Sequence, residues 1–395
     1  MKINTPKTRF KKSNGSNYPD WEEKKLGEIG KITTGKTPST LCRDLWVGDI
    51  LFVTPTDIIV GQKYQNQTKR RVKNNSNNIL PSGSILYTCI ASIGKMSIST
   101  KPCITNQQIN SLAVSNNHDK EFVYYALLFR TPEIQATQAN TTLPIINKTE
   151  FSKIRIEMPC DKEQQKIANF LTVVDEKIEN LQNKKEQFEK YKKVMMQKIF
   201  PSKGGQVPKI RFKKSDGSNY PNWEEKKISD MFKITRGNVL ANNKIRKNQD
   251  AIYKYPIYSS QTINNGLWGY YNNYLFENSI TWTTDGANAG NVNFRSGKFY
   301  CTNVCGVLKS EDGYANPCLA EILNRNTRKY VSYVGNPKLM NNVMGIIKIT
   351  VPKSIEEQKI ISEFLTSLDN KVDLINQKLE QTKLFKKSLL QQMFI

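Results

Sequence analysis

Residues 6–25 read PKTRFKKSNGSNYPDWEEKK, and residues 208–227 read PKIRFKKSDGSNYPNWEEKK. They are identical at 17 of 20 positions, differing only at Thr8/Ile210, Asn14/Asp216 and Asp20/Asn222, and a shift of 202 residues superposes them. Self-similarity of this kind marks a duplicated unit. A second pair agrees: EQQKIANFLTVVDEKI from Glu163 matches EQKIISEFLTSLDNKV from Glu357 at a shift of 194, and the similarity runs on to Phe200 and Phe394. The regions between, about 26–158 and 228–351, share little identity. The 395 residues are therefore two copies of one unit, whose common ends enclose an individual middle.

The repeated C-terminal stretches are the simplest to assign. Ile167, Val174, Leu181, Phe188 and Met195 recur every seven residues, interleaved with Leu171, Ile178, Lys185, Lys192 and Ile199. The second copy has Ile361, Leu368, Ile375, Thr382 and Leu389, interleaved with Leu365, Val372, Leu379, Lys386 and Met393. This is the heptad pattern of helices that pair along a seam. Neither stretch holds Gly or Pro after Pro159 and Pro352, and Pro201 ends the first. About 40 residues at 1.5 Å each make a helix of ~60 Å, too long for one small domain to cover. Two similar stripes in one chain predict pairing with each other. Of the two possible directions, antiparallel pairing suits a reader of two separated sites.

Fifty-nine Lys and Arg oppose 35 Asp and Glu, for a net charge of +24. The two helical stretches, 159–200 and 352–395, carry only +2 and +1, so +21 lies in the boxes and the variable regions. Near-neutral rods beside strongly basic domains are the distribution expected of a protein whose domains grip phosphates. Apolar residues make up 38% and aromatics 10%, enough to fold. No apolar run approaches the ~18 residues of a membrane helix, and the N-terminus has no apolar signal core, which predicts a soluble cytoplasmic protein without a membrane partner.

Both variable regions alternate short β-branched and aromatic runs (50–53, 84–87, 279–282, 346–351) with Asn, Gly, Ser and Pro turns, while 121–129 and 317–324 read as short helices. They are expected to be strand-rich mixed α/β domains. The seven cysteines, at 42, 89, 103, 160, 301, 305 and 318, are scattered and odd in number, so a disulfide framework is not expected and buried reduced thiols are. One histidine, His118, cannot complete a zinc site with Cys301 and Cys305 and reads as part of a surface turn. Residues 30–37, GKITTGKT, satisfy G-x-x-x-x-G-K-[ST], but the preceding stretch WEEKKLGE is too charged for the buried strand that a P-loop follows. The second copy has Phe232, Gly237, Asn238 and Val239 at the matching offsets, so the repeated architecture does not need such a loop. No base-methylation motif, no dinucleotide fingerprint and no catalytic constellation appears.

These features together resemble the specificity subunit of type I restriction-modification systems. The likeness covers nearly the whole chain: the boxes with Pro19-Asp20-Trp21 and Pro221-Asn222-Trp223, and the helices opening Glu163-Gln164-Gln165 and Glu357-Gln358-Lys359. Further family-like stretches are 34–39 (TGKTPS), 46–50 (WVGDI), 91–95 (ASIGK), 105–109 (TNQQI), 256–261 (PIYSSQ), 265–270 (NGLWGY) and 284–292 (TDGANAGNV). The resemblance implies a box at 1–20, a target-recognition domain at 21–158, a central spacer helix at 159–200, a linker with the second box at 201–222, a second recognition domain at 223–351 and a second spacer helix at 352–395. The fold class is then mixed α/β, two recognition domains separated by an antiparallel coiled-coil pair, with an internal pseudo-two-fold repeat. It further implies a non-catalytic chain that binds a bipartite asymmetric double-stranded DNA target. Its partners would be type I methyltransferase subunits, two of them, and restriction/translocase subunits joined through the complex; S-adenosylmethionine, ATP and magnesium would belong to those partners, leaving this chain no cofactor of its own.

Candidate DNA contacts are basic and amide side chains in polar loops: Lys36, Thr37, Lys69, Arg70, Arg71, Lys73, Lys95 and Gln107 in the first domain, and Arg236, Lys244, Arg246, Lys247, Ser260, Gln261, Asn288 and Asn291 in the second. Lys and Arg suit phosphate, while Gln, Asn and some Arg suit base edges. Three other readings stay open at this point: the specificity subunit of a methyltransferase-only system, a P-loop ATPase relying on Lys36, and a coiled-coil scaffold indifferent to DNA sequence.

Overall fold

A computed structural model describes residues 5–73, 78–138, 144–201, 205, 207–261 and 263–395. By its internal contacts the chain divides into two units, residues 1–183 with 377–395, and residues 184–376.

The first unit runs β1 (Glu22–Lys25), α1 (Leu26–Ile29), β2 (Gly30–Thr34), β3 (Ile50–Val53), β4 (Tyr64–Gln65), β5 (Arg70–Val72), β6 (Ile85–Thr88), β7 (Met96–Ser99), β8 (Cys103–Thr105), β9 (Ile109–Val114), α2 (Lys120–Thr137), α3 (Lys148–Lys153) and β10 (Arg155–Met158), leading into α4 (Asp161–Ile199). Its strands form sheets ordered β2-β9-β6-β7-β4 and β5-β3-β8, and an antiparallel ribbon β1-β10. The second unit runs β11 (Glu224–Lys227), α5 (Ile228–Met231), β12 (Lys233–Arg236), β13 (Tyr255–Tyr258), β14 (Leu267–Tyr271), β15 (Phe276–Thr283), β16 (Val292–Cys301), β17 (Cys305–Lys309), α6 (Pro317–Thr327), α7 (Asn341–Ile346) and β18 (Lys348–Val351), leading into α8 (Ile355–Met393). Its strands form one sheet, β12-β17-β15-β16-β13-β14, and the ribbon β11-β18.

The unlike middles thus share one scaffold. β2-β9-β6 recurs as β12-β17-β15, and the parallel pairing of β3 with β8 recurs as β13 with the end of β16. Local chemistry explains the helices. Asp119 caps α2 by accepting from the Glu121 and Phe122 amides, and Asn316 caps α6, with Pro317 at the first helical position, where a missing N–H is harmless. α2 runs to Thr137, well past the residue 129 expected from sequence; Thr131 is its last buried residue, and exposed Pro132 lies inside the helix. Likewise 346–351 is not one strand: Ile346 closes α7 before β18 begins.

The long helices follow the heptads. Every one of the twenty heptad positions named above is buried or half-buried. In the first unit the opening half of α4 lies against the last turns of α8, so the helices run antiparallel: Asp175 Oδ1 pairs with Lys386 Nζ at 2.5 Å. In the second unit Lys192, near the end of α4, pairs with Asp369, near the start of α8. The core of the first unit joins Trp21, Leu26, Tyr87, Phe122, Tyr125, Phe151, Ile167 and Leu171 with Met393 and Phe394; that of the second joins Ile199, Phe200, Trp223, Trp282, Leu319, Leu323, Ile361 and Leu365. Among the described residues no helix is long and apolar enough to cross a membrane.

Candidate nucleic-acid interface

The repeated boxes fix each domain to its helix. Each is a small turn closed by a left-handed glycine, Gly15 or Gly217 at φ 81°, with bridges Lys11–Asn17 and Lys213–Asn219. The Arg9 guanidinium then grips Glu163, fully buried at the start of α4, through Nε–Oε1 at 3.1 Å and Nη2–Oε2 at 2.7 Å, and also donates to the Pro19 carbonyl at 2.7 Å. Arg211 repeats this on Glu357, at 3.0 and 2.9 Å, and on the Pro221 carbonyl at 2.7 Å. The hydrogen bonds and charge of Glu163 hold the Arg9 pKa above its ordinary value. Beside each glutamate a buried glutamine, Gln164 or Gln358, bonds the carbonyl of Pro159 or Pro352 and a group at the cap of α2 or α6. The Glu-Gln pair of each helix opening is therefore a latch, folded inward.

Away from the latch, the strand ends of the first unit converge. β2, β3, β6 and β8 all end, and β5, β7 and β9 all begin, at one side of the sheets. Backbone bonds tie the intervening loops together there: Gly35 N to Ile109 O at 3.0 Å, Asn106 N to Val53 O at 3.1 Å and Cys89 N to Gln108 O at 2.8 Å. Asp57 joins two further segments by accepting from the Thr54 and Lys69 amides. The outcome is a rim built from 35–37, 54–57, 89–95 and 106–108, with Lys69 beside it. The second unit builds the same rim. Gly237 N donates to Cys305 O at 3.0 Å, Thr302 N to Tyr258 O at 3.0 Å, and Thr284 N to Val304 O at 3.0 Å, so 237–239, 259–261, 284–291 and 302–304 meet. Gly35 and Gly237 are required by this approach: a Cβ on either would collide with the carbonyls of Thr105 and Asn106, or of Cys301 and Thr302.

Most of the sequence candidates fall on these rims. Lys36, Thr37, Lys69, Lys95 and Gln107 stand on the first, where Thr37 Oγ1 donates to Gln107 Oε1 at 2.7 Å. Arg70 lies one residue into β5, its guanidinium 5.7 Å from the Trp46 ring; Arg71 is exposed on the opposite face, and Lys73 stands past the far end of the strand. On the second rim are Arg236, Ser260, Gln261, Asn288 and Asn291, with Asn288 Nδ2 donating to the Ser260 carbonyl at 3.2 Å. Asn291 accepts from the Arg328 guanidinium at 2.5 Å. Arg236 is committed to Asp285 at 3.0 Å and Thr284 at 2.8 Å, so its charge is compensated within the rim. Lys244, Arg246 and Lys247 are exposed on a separate segment that bridges to Tyr270 through Arg246. Among the described residues, Lys36, Lys69, Arg70, Arg71, Lys73, Lys95, Lys244, Arg246 and Lys247 form no ion pair, which leaves their charge free for an anionic partner.

The structure also adds positions. Exposed Asn238 and Asn303 occupy on the second rim the places of Lys36 and Gln107 on the first. The signal for Asn238 was its offset of 202 from Lys36; for Asn303 the variable sequence gave none. The P-loop pattern dissolves: its residues 30–34 are strand β2, paired along its length with β9, and no α-helix opens before β3. Five cysteines are buried, with Cys89 and Cys103 pushed up to about 11 by burial, but Cys42 is exposed and Cys160 half-buried, so the expectation of buried thiols fails at those two. His118 is half-buried in its turn, and burial and Lys24 lower its pKa.

A duplicated α/β scaffold with two polar rims, the first of them basic, and paired antiparallel helices narrows the class of protein, and comparison with known proteins says which. The family described as the type I restriction modification DNA specificity domain matches residues 18–190 and 220–384, and the chain belongs to it. It is 30% identical over 243 residues to the type I restriction enzyme MjaIX specificity subunit of Methanocaldococcus jannaschii, spanning 58% of this chain and 56% of that one. A putative type I specificity subunit of Mycoplasma pneumoniae is 38% identical over 137 residues, 34% of this chain and 72% of its own. The chain thus spans little more than half of the M. jannaschii relative. Among solved structures, the type I system S subunit of M. genitalium shares the fold with a TM-score of 0.69 at 19% identity, covering 99% of both chains.

Proposed function

We propose that this chain selects the DNA sequence on which a type I restriction-modification complex acts, reading a bipartite asymmetric target with one half-site under each rim. The observation that carries this reading is that one backbone rim is built twice from different side chains: Lys36, Thr37, Lys95 and Gln107 on the first, Asn238, Asn291 and Asn303 on the second. A scaffold repeated with its contacts exchanged suits two half-sites of unlike sequence. Free Lys and Arg hold phosphate and set register, and the amides read base edges. The antiparallel helices set the unspecified gap between the halves.

The chain carries no chemistry of its own in this reading. Lys11, Ser13, Gly15, Ser16 and Asn17 are exposed and recur unchanged as Lys213, Ser215, Gly217, Ser218 and Asn219. Two equal surfaces suit two copies of one methyltransferase subunit. Restriction/translocase subunits would join through that complex, and S-adenosylmethionine, ATP and magnesium would be held by these partners.

The test is a long-read base-modification map of the host genome with and without the gene. Loss on deletion of a modified two-part motif with one fixed gap supports the reading. An unchanged map, in cells whose methyltransferase co-purifies with this chain, overturns it.

A further inference from the structure

Lys63 is 6% exposed and lies within the segment that leaves the first rim at Thr54 and returns to it at Lys69. Its Nζ pairs with the Glu121 carboxylate, 2.8 Å from Oε2, and donates to Thr172 Oγ1 at 2.8 Å and Tyr125 Oη at 3.1 Å. The rings of Tyr64 and Tyr125 lie 4.7 and 5.1 Å from it. Tyr64 donates to the other oxygen of Glu121 at 3.0 Å. The Tyr125 hydroxyl donates on to Asp175 Oδ2 at 2.6 Å, and Asp175 is the carboxylate that pairs with Lys386. Four elements of the first unit therefore meet in one neutral network: the 54–69 segment, α2, α4 and α8.

Such a network is directional where an apolar contact is not. Each bond holds only over a narrow range of distance and angle, so the group that completes it fixes orientation as well as proximity. Among the described residues the second unit has no counterpart of it. Counting from the caps Asp119 and Asn316, Glu121 and Tyr125 are replaced by Cys318 and Ile322, both buried and apolar. Only the ion pair Lys192–Asp369 recurs at the place of Lys386–Asp175.

We propose that Lys63 is a positioning residue that locks the 54–69 segment, and with it the first rim, onto the paired long helices, so that the first half-site is accepted at a single distance from the second. This rests on the bipartite reading above. Lys63 touches no DNA in this role; it acts through the segment it anchors.

The test uses the full chain expressed with its methyltransferase, and the probe is host genomic DNA mapped for modified bases. The unsubstituted chain comes first: if it yields no two-part motif of fixed gap, the functional reading fails whatever Lys63 does. With that motif in hand, Lys63→Met and Tyr125→Phe are compared with it at matched chain levels. The expected result is that modification at sites whose gap is one base pair longer or shorter rises about tenfold relative to the cognate gap, with both half-site sequences unchanged. Tyr125→Phe removes one oxygen and decides the matter should Lys63→Met fail to accumulate. Unaltered gap discrimination in the accumulating variants overturns the proposal, and so does a change in half-site sequence at constant gap, which would make Lys63 a determinant of the rim itself.

Discussion

Removing Arg9 should unlatch the first unit. Glu163 is fully buried and Arg9 is 17% exposed, so the pair is largely out of water, and its two N–O contacts of 3.1 and 2.7 Å satisfy both carboxylate oxygens. Arg9→Met keeps the apolar stem but leaves a carboxylate buried without its cation, a change that typically destabilises by about 3–5 kcal/mol. For a unit of this size each kcal/mol lowers the midpoint by roughly 2–4 °C, so the transition of the first unit should fall by about 6–20 °C. Scanning calorimetry of the full chain reads this, with Arg211→Met as the matching lesion in the second unit. Arg9→Met/Glu163→Gln should regain part of the loss, because a neutral amide needs no counter-ion there. A drop below about 2 °C for Arg9→Met, or a double variant worse than the single one, would refute the latch.

Arg70→Ala/Arg71→Ala should weaken binding to every duplex and reduce the slope of log affinity against log salt by about 2, read by fluorescence anisotropy at several salt concentrations; an unchanged slope removes both residues from the phosphate contacts. The repeated interhelical pairs should differ in worth. Asp175 and Lys386 are each 18% exposed, and Lys386→Met should destabilise by about 1–3 kcal/mol, whereas Asp369 is 53% exposed and Lys192→Met should stay within about 1 kcal/mol, both by denaturant unfolding. Gly35→Ala should disorder the first rim and abolish specific binding while leaving the long helices intact by circular dichroism, since its Cβ would meet the Asn106 and Thr105 carbonyls, which cannot swing aside as a side chain can. A thiol reagent at pH 8 should modify Cys42 first, and Cys42→Ser should remove the fast phase, because burial both shields Cys89, Cys103 and Cys305 and pushes their thiols up to about 11.

The parts legible in sequence were those governed by period or by repetition. The heptads gave the long helices to within a few residues, since an apolar stripe at a spacing of 3.5 has few other uses. The identity of the boxes announced a common task, and the structure shows half of it to be internal: Arg9 and Glu163 are 154 residues apart, and nothing in their separate neighbourhoods says that they meet. The rims were legible only as composition. Asn, Thr, Lys and Gly in turns pointed to polar loops, but which loops share a rim is decided by the parallel pairing of β3 with β8 and of β13 with β16, contacts between residues 52 and 43 apart, such as Leu51 with Cys103 and Ile257 with Tyr300, that carry no local signal. Lys63 escaped for the opposite reason: one lysine in a lysine-rich chain reads as surface until its partners on two helices, α2 and α4, are known. Arg236 shows the reverse case, a cation chosen for its charge that Asp285 has already answered.

The ribbons β1-β10 and β11-β18 place the end of each repeated box beside the last strand of the variable region that follows it, in antiparallel register from Glu22 opposite Met158 to Lys25 opposite Arg155, and from Glu224 opposite Val351 to Lys227 opposite Lys348. Each variable region leaves and returns through two adjacent strands. A cut made within both strands of one ribbon therefore excises a whole variable domain, under the proposed function a whole reader, and leaves its box, its helix and its latch behind. Genetic exchange between two such chains at those points would transplant a recognition module intact, so the architecture lets sequence preference change in one recombination step without a new fold having to be found.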